Sequence, residues 1–185
     1  MSSPNFVLVF GNIRTFSKTI DSFNKLNYLL NKKKIYTKWI FLVKKEEEKE
    51  FNLTKKDIAF KSEKLIKPLC SNYQNKEKNG YEVQLDDLNF LAKYIFKKYD
   101  TKKLTFIRLR YDLVFDPSWV LNKFSNSIEN KKSIFIKPQH FPLFNAVSDA
   151  FWISYDQNWI ENLKPKNISN IKHKLENNFS TFVPE

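Results

Sequence analysis

The chain has 185 residues, 42% of them hydrophobic and 16% aromatic, with 18 phenylalanines. That length suits one domain spanning residues 1–185 with a proper core, and the composition excludes a disordered chain, which would be poorer in both classes. The formal charge of +12 attracts polyanions such as nucleic acid, acidic lipid headgroups or nucleotide phosphates, while no apolar run approaches the roughly 18 residues that a membrane span needs.

In chain order, Phe6-Val7-Leu8-Val9-Phe10 is a continuous apolar run closed by Gly11, the pattern of a buried strand in a parallel sheet. Ser17 to Leu30 carries Ile20, Phe23, Leu26 and Leu30 at helical spacing. Lys38 to Val43 reads as a second strand, and Lys44 to Glu50 as a solvated charge run, either loop or helix start. Asp57 to Lys61 is expected to be a short strand, and Ser62 to Leu69 a short helix stopped near Pro68. Ser71 to Gly80 is polar and ends in an Asn79-Gly80 turn signal.

The helical period returns from Gln84 to Tyr99, with Asp86 and Asp87 in the first turn, where acidic groups suit the helix dipole. Leu104 to Leu109 is a strand, and Asp116-Pro117 opens a helix with Asp as cap and Pro at the first helical position. Ser133 to Lys137 and Asp149 to Ser154 read as two more strands. Asp156 is expected to cap a helix to about Leu163, and Asn167 or Ser169 a last helix to about Asn178. Strands alternating with helices predict an α/β fold, a mainly parallel Rossmann-like sheet with helices on both faces.

Ligands of open α/β sheets bind outside the carboxyl ends of the strands. Gly11-Asn12-Ile13-Arg14-Thr15 follows the first strand: Gly11 permits a tight turn and Arg14 brings a guanidinium fork suited to phosphate. A plain turn with a surface arginine explains the same residues equally well. The chain has two glycines, so it carries no Gly-rich phosphate loop. In Arg108-Leu109-Arg110-Tyr111-Asp112 the alternation of a strand puts Arg108, Arg110 and Asp112 on one side, as if lining a cleft at the sheet's end. Asp112 can hold a divalent cation, or form an ion pair with Arg110 or Arg108. Asp116 reads first as a helix cap.

Asp149 precedes an apolar strand and can act as a general base toward an acceptor hydroxyl, or be a turn residue. Trp152 and Trp159 can stack on sugars or belong to the core. His140 sits in a Pro-bounded loop and His173 in a basic helix. Neither forms a zinc constellation, and no Gly-x-Ser-x-Gly elbow supports a hydrolase. Three of the 32 basic residues are arginines, and the lysines are scattered, so dedicated nucleic-acid binding is not expected. The single Cys70 fits a reducing compartment, and no signal peptide is visible. The expected location is cytoplasmic, with contact to an acidic membrane surface allowed by the charge.

Three blocks in order resemble small GT-A-type glycosyltransferases of bacterial surface-polysaccharide loci and large DNA viruses. They are Gly11-Asn12-Ile13-Arg14-Thr15-Phe16; Gln84 leading into Ile107-Arg108-Leu109-Arg110-Tyr111-Asp112-Leu113-Val114-Phe115; and Asp149-Ala150-Phe151-Trp152-Ile153-Ser154. The arginine–aspartate strand is the most specific of them, and the resemblance spans residues 6 to about 163. It implies a single-domain GT-A-like fold and a nucleotide-sugar donor at the sheet's carboxyl edge. Gly11, Asn12, Arg14, Arg108 and Arg110 would lie toward the donor, and Asp149 would act as base.

The resemblance further implies that Asp112 occupies the second position of the Asp-x-Asp motif that holds Mn2+ or Mg2+. Arg110 replaces the first aspartate, which weakens the metal expectation and lets Arg110 take over part of the cation's work on the diphosphate. The expected activity is transfer of a sugar from a nucleoside diphosphate to a glycan or glycolipid acceptor. The alternative is a non-catalytic module that binds nucleotide, polysaccharide or nucleic acid on a degenerate transferase fold. The chain is short for the group, with little after the last strand, so it is expected to have a small acceptor site, to need a partner, or to be a fragment of a larger enzyme.

Overall fold

The apolar run near the start of the sequence becomes an interior strand with a covered face on either side. In the computed structural model the fold is described for residues 4–67, 80–101, 104–112, 114–130, 134–135 and 152–154. The strands are β1 (Asn5–Val9), β2 (Thr37–Lys44), β3 (Ser62–Lys67), β4 (Thr105–Leu109), β5 (Ile134–Phe135) and β6 (Trp152–Ser154). The helices are α1 (Phe16–Lys32), α2 (Glu48–Thr54), α3 (Gly80–Tyr99) and α4 (Pro117–Asn130). The strands form one sheet in the order β3-β2-β1-β4-β6-β5. β3, β2, β1 and β4 are parallel, and β6 runs antiparallel to both β4 and β5.

Residue parity sorts the core into two layers, because successive strand side chains point to opposite faces. Val7, Val9, Trp39, Phe41, Val43, Ile107 and Leu109 pack against the buried stripe of α1, with Phe51 of α2 and Phe124 of α4. Phe6, Leu8, Phe10, Ile40, Leu42 and Phe106 pack against Leu88, Leu91, Ala92 and Ile95 of α3. Both faces of the parallel strands are therefore covered, as such sheets require. The phenylalanine-rich composition is used on the first face. Phe16 lies 5.9 Å from Phe51 in a stacked pair and 5.0 Å from Tyr111 edge-on, and Phe41 lies 5.5 Å from Phe51.

Two expectations fail between β2 and α3. Ser62 to Lys67 is a strand, not a helix, and residues 57–61 are not a strand: Asp57 closes a 3-10 turn at Lys55–Asp57 and residues 58–61 follow it. β3 lies at the edge of the sheet, and its charged side chains are absorbed by the helices on either side. Glu63 accepts hydrogen bonds from Tyr94, Tyr99 and Lys98 of α3, while Lys64 donates to Glu48 of α2 at 2.6 Å. α3 also begins at Gly80 rather than Gln84, so Asp86 and Asp87 sit beyond its first turn. Asp87 serves a different purpose there, an ion pair with Lys67 at 2.5 Å with both side chains nearly out of solvent. Asp116 caps α4 as expected: its Oδ1 accepts the Ser118 N–H at 2.9 Å.

The chain steps outward from β1 to β2 to β3, then crosses back to place β4 on the other side of β1. The order reverses between β1 and β4, and the loops leaving their carboxyl ends diverge there. That is the topological switch point where open α/β sheets form a ligand crevice.

Candidate functional site

The segments after β1 and β4 are the first two blocks singled out in the sequence, and the sheet places them side by side. The Phe10 N–H donates to the Leu109 carbonyl at 3.1 Å, extending the pairing one residue past β1 against the last residue of β4. The next residues on each chain are Gly11 and Arg110. Gly11 has φ of +121°, a conformation that side chains rarely adopt, and a Cβ there would lie 3.4 Å from Arg110 Cγ. The glycine thus allows both the turn and the close approach of an arginine stem.

Arg110 is held from its other end by Asp112. Its Nε donates to Oδ1 at 2.8 Å and its Nη2 to Oδ2 at 2.6 Å, a two-point fork. Both side chains are about a quarter exposed, 27% and 28%. Burial alone would raise the Asp112 carboxyl, but the hydrogen bonds and charge of Arg110, with the charge of Arg108 behind them, hold it below its ordinary value.

Tyr111, between them, fixes the turn to the core. Its hydroxyl donates to the Leu42 carbonyl at 3.0 Å, and its own carbonyl accepts from Thr19 Oγ1 at 2.5 Å. Tyr111 is fully buried against the aromatic layer, so the residues on either side inherit a rigid base. Nothing in the sequence pattern distinguished Tyr111 from an ordinary strand residue.

On the neighbouring loop, Asn12 Oδ1 accepts the Arg14 N–H at 3.2 Å, closing a small turn that leaves the Arg14 side chain exposed. The loop is braced from β2. Glu47, in a 3-10 turn at Lys45–Glu47 directly after that strand, accepts the Ile13 N–H. Its Oε2 is buried and, among the described residues, has no hydrogen-bond partner. Burial pushes the Glu47 carboxyl above its ordinary value, against the opposing charge of Lys44 and the Ile13 hydrogen bond. Glu47 was hidden in a run of charged residues that reads as solvated. Only the position of the strand end against the β1 loop singles it out.

Arg108 departs from its expected place. It does not line an open cleft: it is 0% exposed, on the α3 face of β4. Its guanidinium stands over the Phe10 ring at 4.7 Å, and its Nη2 donates to Gln84 of α3. The Phe10 ring and the Gln84 amide contact the buried guanidinium, and the charge of Asp112 acts on it. Arg108 shares strand parity with Phe106, which is the signal in the sequence that it faces the helix layer. The structure therefore brings Gly11, Asn12, Arg14, Arg110 and Asp112 to one sheet edge and sets Arg108 beneath it.

The third block enters the same sheet. β6 pairs with β4 through Arg108 opposite Trp152 and Phe106 opposite Ser154, so β6 begins at the carboxyl end of β4. Asp149, His140, Trp159, His173 and Cys70 lie outside the described residues.

The donor set at Asp112 does not fit a divalent cation as it stands. Both of its oxygens accept from a guanidinium, the charge of Arg108 also acts on it, and among the described residues no three His, Cys, Asp or Glu side chains converge. The arrangement instead presents positive charge at a strand edge. No helix among the described residues is long and apolar enough to cross a membrane. No known family model matches the chain, and no curated protein matches it significantly.

Proposed function

We propose that the chain is a nucleotide-sugar-dependent glycosyltransferase on a single-domain GT-A-like fold. It transfers a sugar from a nucleoside diphosphate donor to a glycan or glycolipid acceptor at the cytoplasmic side of a membrane or in the cytoplasm. The observation that carries this reading is that the Arg110 side chain lies beside Gly11, 3.4 Å from where a Cβ would stand. It joins the first two blocks of the resemblance at the switch point, where such folds bind nucleotides. The nucleotide lies along Gly11 to Arg14, and the diphosphate faces Arg110. As the sugar leaves, charge grows on the diphosphate, and a guanidinium already fixed in place stabilises it without reorganising. Asp149 is assigned the acceptor hydroxyl as general base.

A second reading is a binding module without transfer. It draws support from the two carboxylates described at this edge, since Asp112 is tied to Arg110 and Glu47 to Ile13. Incubation with a panel of uridine and guanosine diphosphate sugars, monitoring nucleoside diphosphate release with and without candidate acceptors, separates the readings. Release above the no-enzyme rate that is lost in Arg110→Ala supports the transferase. Binding of nucleoside diphosphates without release from any donor supports the module, and the absence of both discards the site.

A further inference from the structure

We propose that this edge binds the pyrophosphate of a nucleoside diphosphate on guanidinium groups, with no divalent cation between protein and ligand. The inference rests on the nucleotide-binding reading above and specifies its chemistry. A cation bridging Asp112 to phosphate would need carboxylate oxygens directed at it. Both are instead engaged by Arg110, at 2.8 and 2.6 Å. A dication seated there would have to displace one guanidinium and approach a second, because the charge of Arg108 also acts on Asp112. The local field that repels a dication attracts a pyrophosphate.

The geometry supplies the replacement. The Arg110 stem runs against the Gly11 backbone on one side, and its guanidinium is held in the Asp112 fork on the other. Its orientation is therefore set before a ligand arrives, and less freedom is lost on binding. A guanidinium carries five N–H donors in one plane, so Arg110 can serve Asp112 and a phosphate oxygen together, in a geometry that a lysine cannot reproduce. Arg14, exposed on the adjoining loop, is assigned as the second guanidinium for the same ligand. In this arrangement Asp112 positions Arg110 rather than touching the ligand.

The test is calorimetric titration of the full chain with uridine and guanosine diphosphate, once in excess chelator and once in Mn2+. The expected result is binding of at least one nucleotide with the same affinity, within about threefold, in both conditions. Arg110→Lys should weaken it by roughly 10- to 100-fold in both, the loss of a charge-assisted hydrogen bond, with thermal unfolding confirming that the variant folds. Arg14→Ala, an exposed site, should weaken it by a smaller factor in both and serves if Arg110→Lys does not fold. Asp112→Asn should weaken binding equally with and without Mn2+. Affinity that appears only with Mn2+, and a loss in Asp112→Asn confined to that condition, would overturn the inference while leaving nucleotide binding intact. No binding in either condition overturns both.

Discussion

The Lys67–Asp87 pair offers the most direct test of how the sheet and α3 are joined. Lys67 ends β3, and Asp87 sits in the amino-terminal half of α3. Their side chains are 7% and 6% exposed, with Nζ and Oδ1 2.5 Å apart. Removing one partner of such a pair leaves the other charge buried, which costs about 3–5 kcal/mol, whereas replacing both with apolar residues of similar volume is about neutral or stabilising by about 1–4 kcal/mol. Asp87→Leu and Lys67→Met should therefore each be severely destabilising. With a urea dependence of about 2 kcal/mol/M, each midpoint should fall by about 1.5–2.5 M. The double variant should lie between the parent's midpoint and about 2 M above it, so the two effects are strongly non-additive. Urea unfolding followed by circular dichroism on all four proteins measures this. Two single variants that each lose less than about 1 kcal/mol, with additive effects, would mean that water reaches the pair and that α3 is not seated as described.

Three further outcomes are expected. Gly11→Ala forces a side chain into φ of +121° and against Arg110, and should cost about 1–3 kcal/mol in urea unfolding; an unchanged midpoint would show that the turn is not in this conformation. Glu47 is raised in the folded protein, so folding favours its protonated form, and ionisation costs stability as pH rises from the ordinary value of 4.5 through the folded value. Glu47→Gln should raise the midpoint at pH 7 and give no gain below pH 4.5, and a gain independent of pH would remove burial as the cause. Tyr111→Phe deletes the hydroxyl that donates to the Leu42 carbonyl and should cost about 1–3 kcal/mol, read from the same unfolding curves.

Much of this fold could be read from apolar spacing. β1, β2 and β4 are runs buried on both faces, and α1 and α4 carry stripes that meet the sheet. β3 could not be read in this way. As an edge strand it trades apolar contacts for pairs with residues far away in sequence, and Ser62-Glu63-Lys64-Leu65-Ile66-Lys67 looks like helix surface until Tyr94, Tyr99, Asp87 and Glu48 are placed around it. The site was legible where chemistry is local: a glycine that must turn, and an arginine two residues from an aspartate. Tyr111 and Glu47 act through partners 69 and 34 positions away, at Leu42 and Ile13, and no local spacing encodes that. Arg108 was read as cleft-lining because charge suggests solvent, yet its parity with Phe106 assigns it to the layer under α3.

The two faces of the sheet hold their helices by different means, and this bears on what controls the candidate site. On the α3 face, polar pairs tie helix to strand along its length: Arg108 to Gln84, Lys67 to Asp87, and Glu63 to Tyr94, Tyr99 and Lys98. Directional contacts of this kind fix the register of a helix more sharply than apolar packing does. On the opposite face, interlocked aromatics support Tyr111, and Tyr111 in turn carries Arg110 and Asp112. The position of the Arg110 fork is therefore set mainly from the α1 side. Damage at Lys67 should lower stability while the folded fraction keeps the nucleoside diphosphate affinity proposed above, because the described bond of that pair ties β3 to α3 rather than to the loops after β1 and β4. Damage at Tyr111 should lower both, because the same hydroxyl that bonds the Leu42 carbonyl locks the turn that aims the guanidinium.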